Sequence, residues 1–224
     1  MTDIIRPVLA IIWKDILLET RSKDIIISML VFSVLVIIIF NFALEPSPHL
    51  VALISPGILW VAFIFGGVLG LTRSLAIEKD QGNLQGLILT PVSRDTIYFG
   101  KMLAIFLFML IVEAIVLPIF AVLFNLSIFE PLLIPVVVLA TLGIAATGTL
   151  FSSIAINTRA QEVMLPVLFF PVALPIIIAA VEATGLVIGN LNLADLVQWL
   201  SLLVVFDAVF LVICPFAFSI IVDD

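Results

Sequence analysis

The segment "EKDQGNLQGLILTPVSRDTIYFGK", residues 78–101, is a polar interruption in a chain of 224 residues that is 64% hydrophobic and only 11% charged. Soluble domains carry about 25% charged residues, so this composition excludes an ordinary soluble protein. The apolar runs on both sides of the segment are long enough to cross a bilayer, which takes about 20 residues each. The sequence therefore predicts an all-α polytopic membrane protein. Its topology can be assigned once the side of the membrane on which this segment lies is known.

Six apolar segments along the chain have the length that a transmembrane helix needs. They are residues 25–44, 50–71, 102–124, 132–156, 163–183 and 196–222. We expect a single transmembrane domain of six helices over residues 1–224.

The nine Lys and Arg residues predict the orientation of these helices. All nine lie in the first 24 residues, in the linker 72–101 or at position 159, and the other three linkers contain none. Short loops on the cytoplasmic side of a membrane are enriched in basic residues. We therefore expect both termini and the linker 72–101, here called the polar linker, to be cytoplasmic.

The first 24 residues show the pattern of an amphipathic helix. Apolar side chains recur at helical spacing at Ile5, Leu9, Ile12, Trp13, Ile16 and Leu17. Charged residues lie mainly on another side of this helix. A tryptophan with flanking basic residues predicts a helix in the cytoplasmic membrane interface before the first span. The alternative is a cytoplasmic extension of that span.

The first half of the polar linker, residues 78–90, is compatible with a short helix. Leu84 and Leu87 share one face of that helix, three residues apart. Gly82 and Gly86 leave a strip without side chains, where another surface can approach closely. An exposed apolar ridge of this kind favours a docking surface. The alternative is a short amphipathic helix that rests on lipid head groups.

A turn and a second helix are predicted to complete the polar linker. Thr90 precedes Pro91, and a residue before proline avoids the helical region, so the first helix ends there. Ser93 is a favourable N-cap, and Asp95 lies in the first turn, where the helix dipole favours negative charge. We expect this second helix to continue through Lys101 into the third span.

Two acidic residues, Glu113 and Asp207, lie near the middle of the third and sixth spans. A charge at the bilayer centre costs about 2.5–3.5 kcal/mol on insertion scales, so such residues usually face protein or a water-filled cavity. One interpretation is a polar position on a substrate path or a proton site. The other, which we favour, is a protonated or hydrogen-bonded carboxyl packed against a neighbouring helix, because no Lys or Arg lies within the spans.

The residues needed for catalysis or metal binding are scarce. The chain contains one cysteine and one histidine, which excludes a Cys/His metal cluster built from this chain alone. No Gly-rich phosphate loop ending in GK[ST] and no nucleophile–base pair is present. We therefore expect a non-catalytic chain that binds no metal or cofactor by itself and does not bind nucleic acid.

The order of residues in the polar linker resembles the loop between the second and third spans of ABC export permeases. The matching positions are Glu78, Lys79, Gly82, Asn83, Leu84, Gln85, Leu87, Thr90, Pro91, Val92, Ser93, Arg94, Gly100 and Lys101. In that family this loop is the coupling helix that docks into a cleft of the cytoplasmic ATPase subunit. The docking residues that the resemblance implies here are Glu78, Gly82, Leu84, Gln85, Leu87, Thr90, Pro91 and Arg94.

Three further stretches indicate which family of ABC export permeases the chain resembles. They are "ISPGILWVAFIFGGVLGLTRSL" (54–75), "EPSPHL" (45–50) and "VMLPVLFFPVALPIIIAA" (163–180). Together they resemble the CcmB family of haem exporter permease subunits from cytochrome c maturation. The resemblance implies an inner-membrane complex with a CcmA-like ATPase that binds ATP, a CcmC-like haem-binding subunit and a small CcmD-like subunit. It also implies that this complex uses ATP to release or deliver haem on a periplasmic CcmE-like chaperone.

Two other functions remain open from the sequence. The first is an ABC permease of the same architecture for another cargo, such as a lipid, a drug or another small molecule. The second is a secondary transporter that uses Glu113 and Asp207 for proton coupling. That alternative predicts paired internal repeats with broken helices, which the sequence does not contain.

Overall fold

The structure, a computed structural model, describes residues 2–44, 48–81, 92–126, 130–155, 161–189 and 193–223. Its helices are α1 (Thr2–Ser22), α2 (Asp24–Ala43), α3 (Pro48–Gln81), α4 (Arg94–Phe124), α5 (Leu133–Ala155), α6 (Gln161–Ile188) and α7 (Leu193–Asp223). No β-strand occurs within these ranges. The all-α fold predicted from the sequence is confirmed.

Each helix from α2 to α7 contains one segment that is long and apolar enough to cross a membrane. These segments are Asp24–Ala43, Leu53–Ser74, Arg94–Phe124, Leu133–Ala155, Val163–Ile188 and Leu193–Ile221. Their number and order match the six predicted spans, so the chain is a multi-pass membrane protein. Many large apolar side chains of α2 and α7 are exposed, as expected for helices that face lipid.

Helix α1 is separate from the first span. Lys23, between α1 and α2, has φ 59° and ψ 15°, a left-handed conformation that is uncommon for a residue with a side chain. Helix α1 packs along α4 and makes only minor contact with α2. Ile5, Leu9, Trp13 and Leu17 are exposed on α1. The extension of the first span, considered as an alternative above, is therefore not what the fold contains.

Helix α5 lies at the centre of the bundle and contacts α3, α4, α6 and α7. Small residues make this packing close. A Cβ atom on Gly143 would lie 2.6 Å from Oδ1 of Asp207 in α7, and one on Gly148 would overlap the side chain of Leu71 in α3. The small residues of α5 therefore allow close approach of neighbouring helices.

Buried hydrogen bonds connect several helix pairs within this bundle. The Trp60 indole N–H donates to the Thr184 hydroxyl (2.9 Å), the Tyr98 hydroxyl to the Ala146 carbonyl (2.8 Å), and the Ser33 hydroxyl to the Ala62 carbonyl (3.0 Å). They join α3 to α6, α4 to α5 and α2 to α3. Water is absent from the bilayer core, so a polar group there needs a protein partner. These bonds fix the relative positions of the helices.

Candidate functional site

The polar linker contains the end of α3, the start of α4 and the residues between them. Helix α3 continues beyond its membrane segment to Gln81, so Glu78 belongs to the helix of the second span and does not begin a separate helix. The other predicted docking residues of this loop, Gly82, Leu84, Gln85, Leu87, Thr90 and Pro91, lie outside the described residues. The backbone is described again from Val92 onward.

The start of α4 has the geometry predicted for it. Ser93 is the N-cap residue with an extended backbone (φ −62°, ψ 145°), Arg94 begins the helix, and Asp95 lies in the first turn. The Ser93 carbonyl accepts hydrogen bonds from the backbone N–H groups of Thr96 (3.0 Å) and Ile97 (3.2 Å). The Ser93 hydroxyl bonds to the Thr96 hydroxyl at 2.6 Å rather than to a backbone amide. The predicted second helix of the polar linker is thus confirmed.

Helix α1 contacts α4 about two turns after α4 begins. Lys101 Nζ lies 3.1 and 3.3 Å from the two carboxylate oxygens of Asp15, and Lys14 Nζ lies 2.9 Å from the same group. The side chains of Lys101 and Asp15 are only 10% and 13% exposed, so solvent screens this pair less than a surface pair. A Cβ atom on Gly100 would lie 2.8 Å from Cβ of Ile11. We call these residues the α1–α4 contact.

Glu19 connects α1 to the first span. Its carboxylate accepts hydrogen bonds from the backbone N–H groups of Ile26 (2.8 Å) and Ile25 (3.3 Å), which have no partner inside the first turn of α2. Burial raises the pKa of the Glu19 carboxyl, and the two amide hydrogen bonds oppose that rise. Because the start of a helix favours a negative group, Glu19 caps α2 from the neighbouring helix.

Glu113 lies buried between α4 and α5. Its side chain is 2% exposed. The Thr141 hydroxyl lies 2.9 and 2.8 Å from its two carboxyl oxygens, close enough to donate a hydrogen bond to either. This geometry gives the carboxyl a protein partner on the neighbouring helix.

Asp207 is buried on α7 with a different environment. Its side chain is 4% exposed, and neither carboxyl oxygen has a hydrogen-bond partner among the described residues. Asp207 lies against Gly143, whereas Glu113 bonds to Thr141, two residues earlier on α5. Two residues correspond to a rotation of about 200° around a helix. The two acids therefore contact different sides of α5 and do not form one site.

Comparison with known proteins places this architecture in a family. Residues 6–223 match the family described as "CcmB protein". The chain belongs to the CcmB protein family. This CcmB-family chain is 26% identical over 191 residues to Heme exporter protein B of Pseudomonas aeruginosa, covering 85% of this chain and 84% of the relative. It is 29% identical over 182 residues to Heme exporter protein B of Haemophilus influenzae (80% and 82%).

A third relative covers more of this CcmB-family chain. Heme exporter protein B of Bradyrhizobium diazoefficiens is 24% identical over 210 residues, which is 93% of each chain. The family resemblance inferred from the sequence motifs is confirmed.

The α1–α4 contact and the Glu19 cap were not predicted from the sequence. From the sequence, Asp15 is one of the charged residues of α1, and Lys101 is part of the family pattern. The signal available in the sequence was an acidic residue, Asp15, within an amphipathic helix. That signal did not identify Lys101 as the partner of Asp15, because the two residues are 86 positions apart along the chain.

Proposed function

We propose that this chain is the membrane permease subunit of an ABC transporter that handles haem for c-type cytochrome biogenesis. The observation that carries the proposal is the family match over residues 6–223. In addition, relatives named Heme exporter protein B align with this chain along most of their length. Six membrane-spanning helices supply the permease, and ATP hydrolysis belongs to a separate subunit.

The proposed docking site for that ATPase is the polar linker. It joins two consecutive membrane-spanning helices, α3 and α4, so a force applied to the linker acts on both. Its acidic, glycine and leucine positions support the assignment by their match to the coupling-helix pattern. The positive-inside rule supports a cytoplasmic position for this linker and for both termini.

The α1–α4 contact supplies a path from the docked linker into the bundle. Lys101 holds Asp15 of α1, and α1 in turn caps α2 through Glu19. A displacement at the start of α4 is thereby passed to α1 and to the first span. Packed helices and buried hydrogen bonds are the kind of contiguous network that carries such coupling.

The proposed complex contains a CcmA-like ATPase, a CcmC-like haem-binding subunit, a small CcmD-like subunit and a periplasmic CcmE-like haem chaperone. In this arrangement the ATPase binds ATP, and haem is handled by the complex. We assign Glu113 and Asp207 to packing within the bundle, since Glu113 is hydrogen-bonded to Thr141 and the two acids contact different sides of α5.

Substitutions in the polar linker test this proposal. Leu87→Asp and Gly82→Trp are expected to lower c-type cytochrome levels and to reduce co-purification of the ATPase subunit, while the protein still inserts in the membrane. Leu87→Met is the matched control, because it keeps an apolar side chain of similar volume. Normal cytochrome levels and undiminished ATPase recovery in both Leu87→Asp and Gly82→Trp would refute docking at the polar linker.

A further inference from the structure

A groove of about 420 Å³ lies between α4 and α5 at the protein surface. Its apolar walls include Leu110, Ala114 and Leu117 from α4 and Ile134, Val137 and Val138 from α5. Glu130 lies at the end nearest the α4–α5 linker, and Glu113 contributes to the opposite end. The volume is within the range of about 300–1,000 Å³ that is typical of small-molecule sites. We call this feature the α4–α5 groove.

The groove extends from a membrane interface toward the bilayer centre. Its lining on α4 runs from Leu110 to Pro118, about 12 Å at 1.5 Å per residue. Half of the hydrocarbon core of a bilayer is about 15 Å. Glu130 lies between the membrane segments of α4 and α5, so the groove opens on the side opposite the polar linker. Its depth matches a single lipid leaflet.

The charge of Glu130, at the outer end of the groove, favours some lipid head groups over others. Glu130 is exposed, and the linkers 45–49, 125–131 and 184–195 contain no Lys or Arg. This side of the chain therefore attracts the ammonium of a zwitterionic head group and repels a head group with a net negative charge. A primary ammonium also donates hydrogen bonds to a carboxylate, as the lysine side chain does. A quaternary ammonium has no N–H group to donate.

The apolar walls of the groove and the carboxylate at its outer end together complement a lipid chain whose head group carries an ammonium. We propose that the α4–α5 groove binds one acyl chain of a phospholipid whose head group carries a primary ammonium, with that ammonium at Glu130. The proposal rests on the groove itself and is independent of the cargo of the transporter.

Native mass spectrometry of the full chain tests the head-group preference. The purified protein is presented with phosphatidylethanolamine, phosphatidylcholine and phosphatidylglycerol of identical acyl chains. We expect about two- to fivefold greater retention of phosphatidylethanolamine, the range of an exposed ion pair. Glu130→Gln is expected to abolish that preference. Equal retention of the three lipids by the unaltered protein, or an unchanged preference in Glu130→Gln, would overturn the proposal.

A second pair of variants tests the position of the lipid. Ala114→Trp fills the groove and is expected to lower retention of all three lipids. Val212→Trp is the matched control, because Val212 lies on α7 and is 60% exposed; it is expected to change nothing. Lipid retention by Ala114→Trp equal to that of the unaltered protein would contradict binding in the groove.

Photo-crosslinking in native membranes tests the same position without a tryptophan substitution. Its result therefore does not depend on whether Ala114→Trp folds. A photoreactive phenylalanine analogue at Ile134, which is 66% exposed on the groove wall, is expected to form an adduct with phosphatidylethanolamine. An adduct with a protein would show that a partner helix covers the groove and would overturn the proposal.

Discussion

Gly100→Ala is expected to separate α1 from α4, because the new Cβ atom would meet Cβ and Cγ2 of Ile11 at 2.8 Å each. These atoms lie close to the α1 backbone, so the overlap is relieved only by moving the helix. The matched control is Gly57→Ala in α3, where a Cβ atom meets no described atom within 4 Å outside its own helix backbone. Both substitutions gain about 1 kcal/mol of helix propensity.

The difference in stability between Gly100→Ala and Gly57→Ala measures the free-energy cost of the overlap with Ile11. Overpacking in a filled site costs about 1–3 kcal/mol, and it applies to Gly100→Ala alone. At about 2–4 °C per kcal/mol for a chain of this size, the variants should differ in melting temperature by roughly 2–12 °C. The assay is thermal unfolding of the purified protein, with c-type cytochrome levels measured in parallel in cells that lack the unaltered chain.

A double mutant tests whether Ile11 is the cause. Ile11→Ala removes two of the three nearest atoms, so Gly100→Ala combined with Ile11→Ala should lose less stability than the sum of the single changes. Cytochrome levels should fall in Gly100→Ala and remain near normal in Gly57→Ala. Equal melting temperatures for the two glycine variants, or simple additivity with Ile11→Ala, would refute close packing at the α1–α4 contact.

Three further outcomes are expected from the buried charges. Lys101→Asp should lower cytochrome levels and Asp15→Lys in the same chain should restore them in part, as measured by haem staining; no recovery would argue against the pair. The raised pKa of Glu19 means that the folded protein binds this proton more tightly than the unfolded chain. Stability should therefore fall as the pH rises from the ordinary carboxyl value of 4.5 through the folded value, and Glu19→Gln should remove that slope in thermal unfolding. Glu113→Gln should leave cytochrome maturation largely intact, since the amide oxygen still accepts the Thr141 hydrogen bond; loss of maturation with normal assembly would assign Glu113 a transport role.

The helices were predictable because each depends on local sequence. The apolar runs fixed the number of spans, and Ser93 with Asp95 predicted the start of α4 correctly. The apolar spacing of Ile5, Leu9 and Trp13 likewise predicted α1 as an amphipathic helix, and these residues are exposed in the fold. Such signals are read within a few turns of helix and need no knowledge of the neighbouring helices.

The connections between helices were not predictable in the same way. Glu113 and Thr141 are 28 residues apart, and Asp15 and Lys101 are 86 apart. Their pairing depends on which helices become neighbours, which hydrophobic periodicity does not specify. The sequence also favours a separate short helix from residue 78, whereas Glu78 lies in α3, because charged residues can continue a helix after it leaves the apolar segment.

The most direct test of the proposed function is the composition of the complex purified from its own membrane through a tag on this chain. Mass spectrometry and haem absorption of that complex should identify an ATP-hydrolysing subunit and a haem-binding membrane protein together. Recovery of the ATPase without a haem-binding protein would contradict the haem assignment and favour another cargo. Recovery of an intact assembly without any ATP-hydrolysing subunit would contradict the account of this chain as an ATP-driven permease.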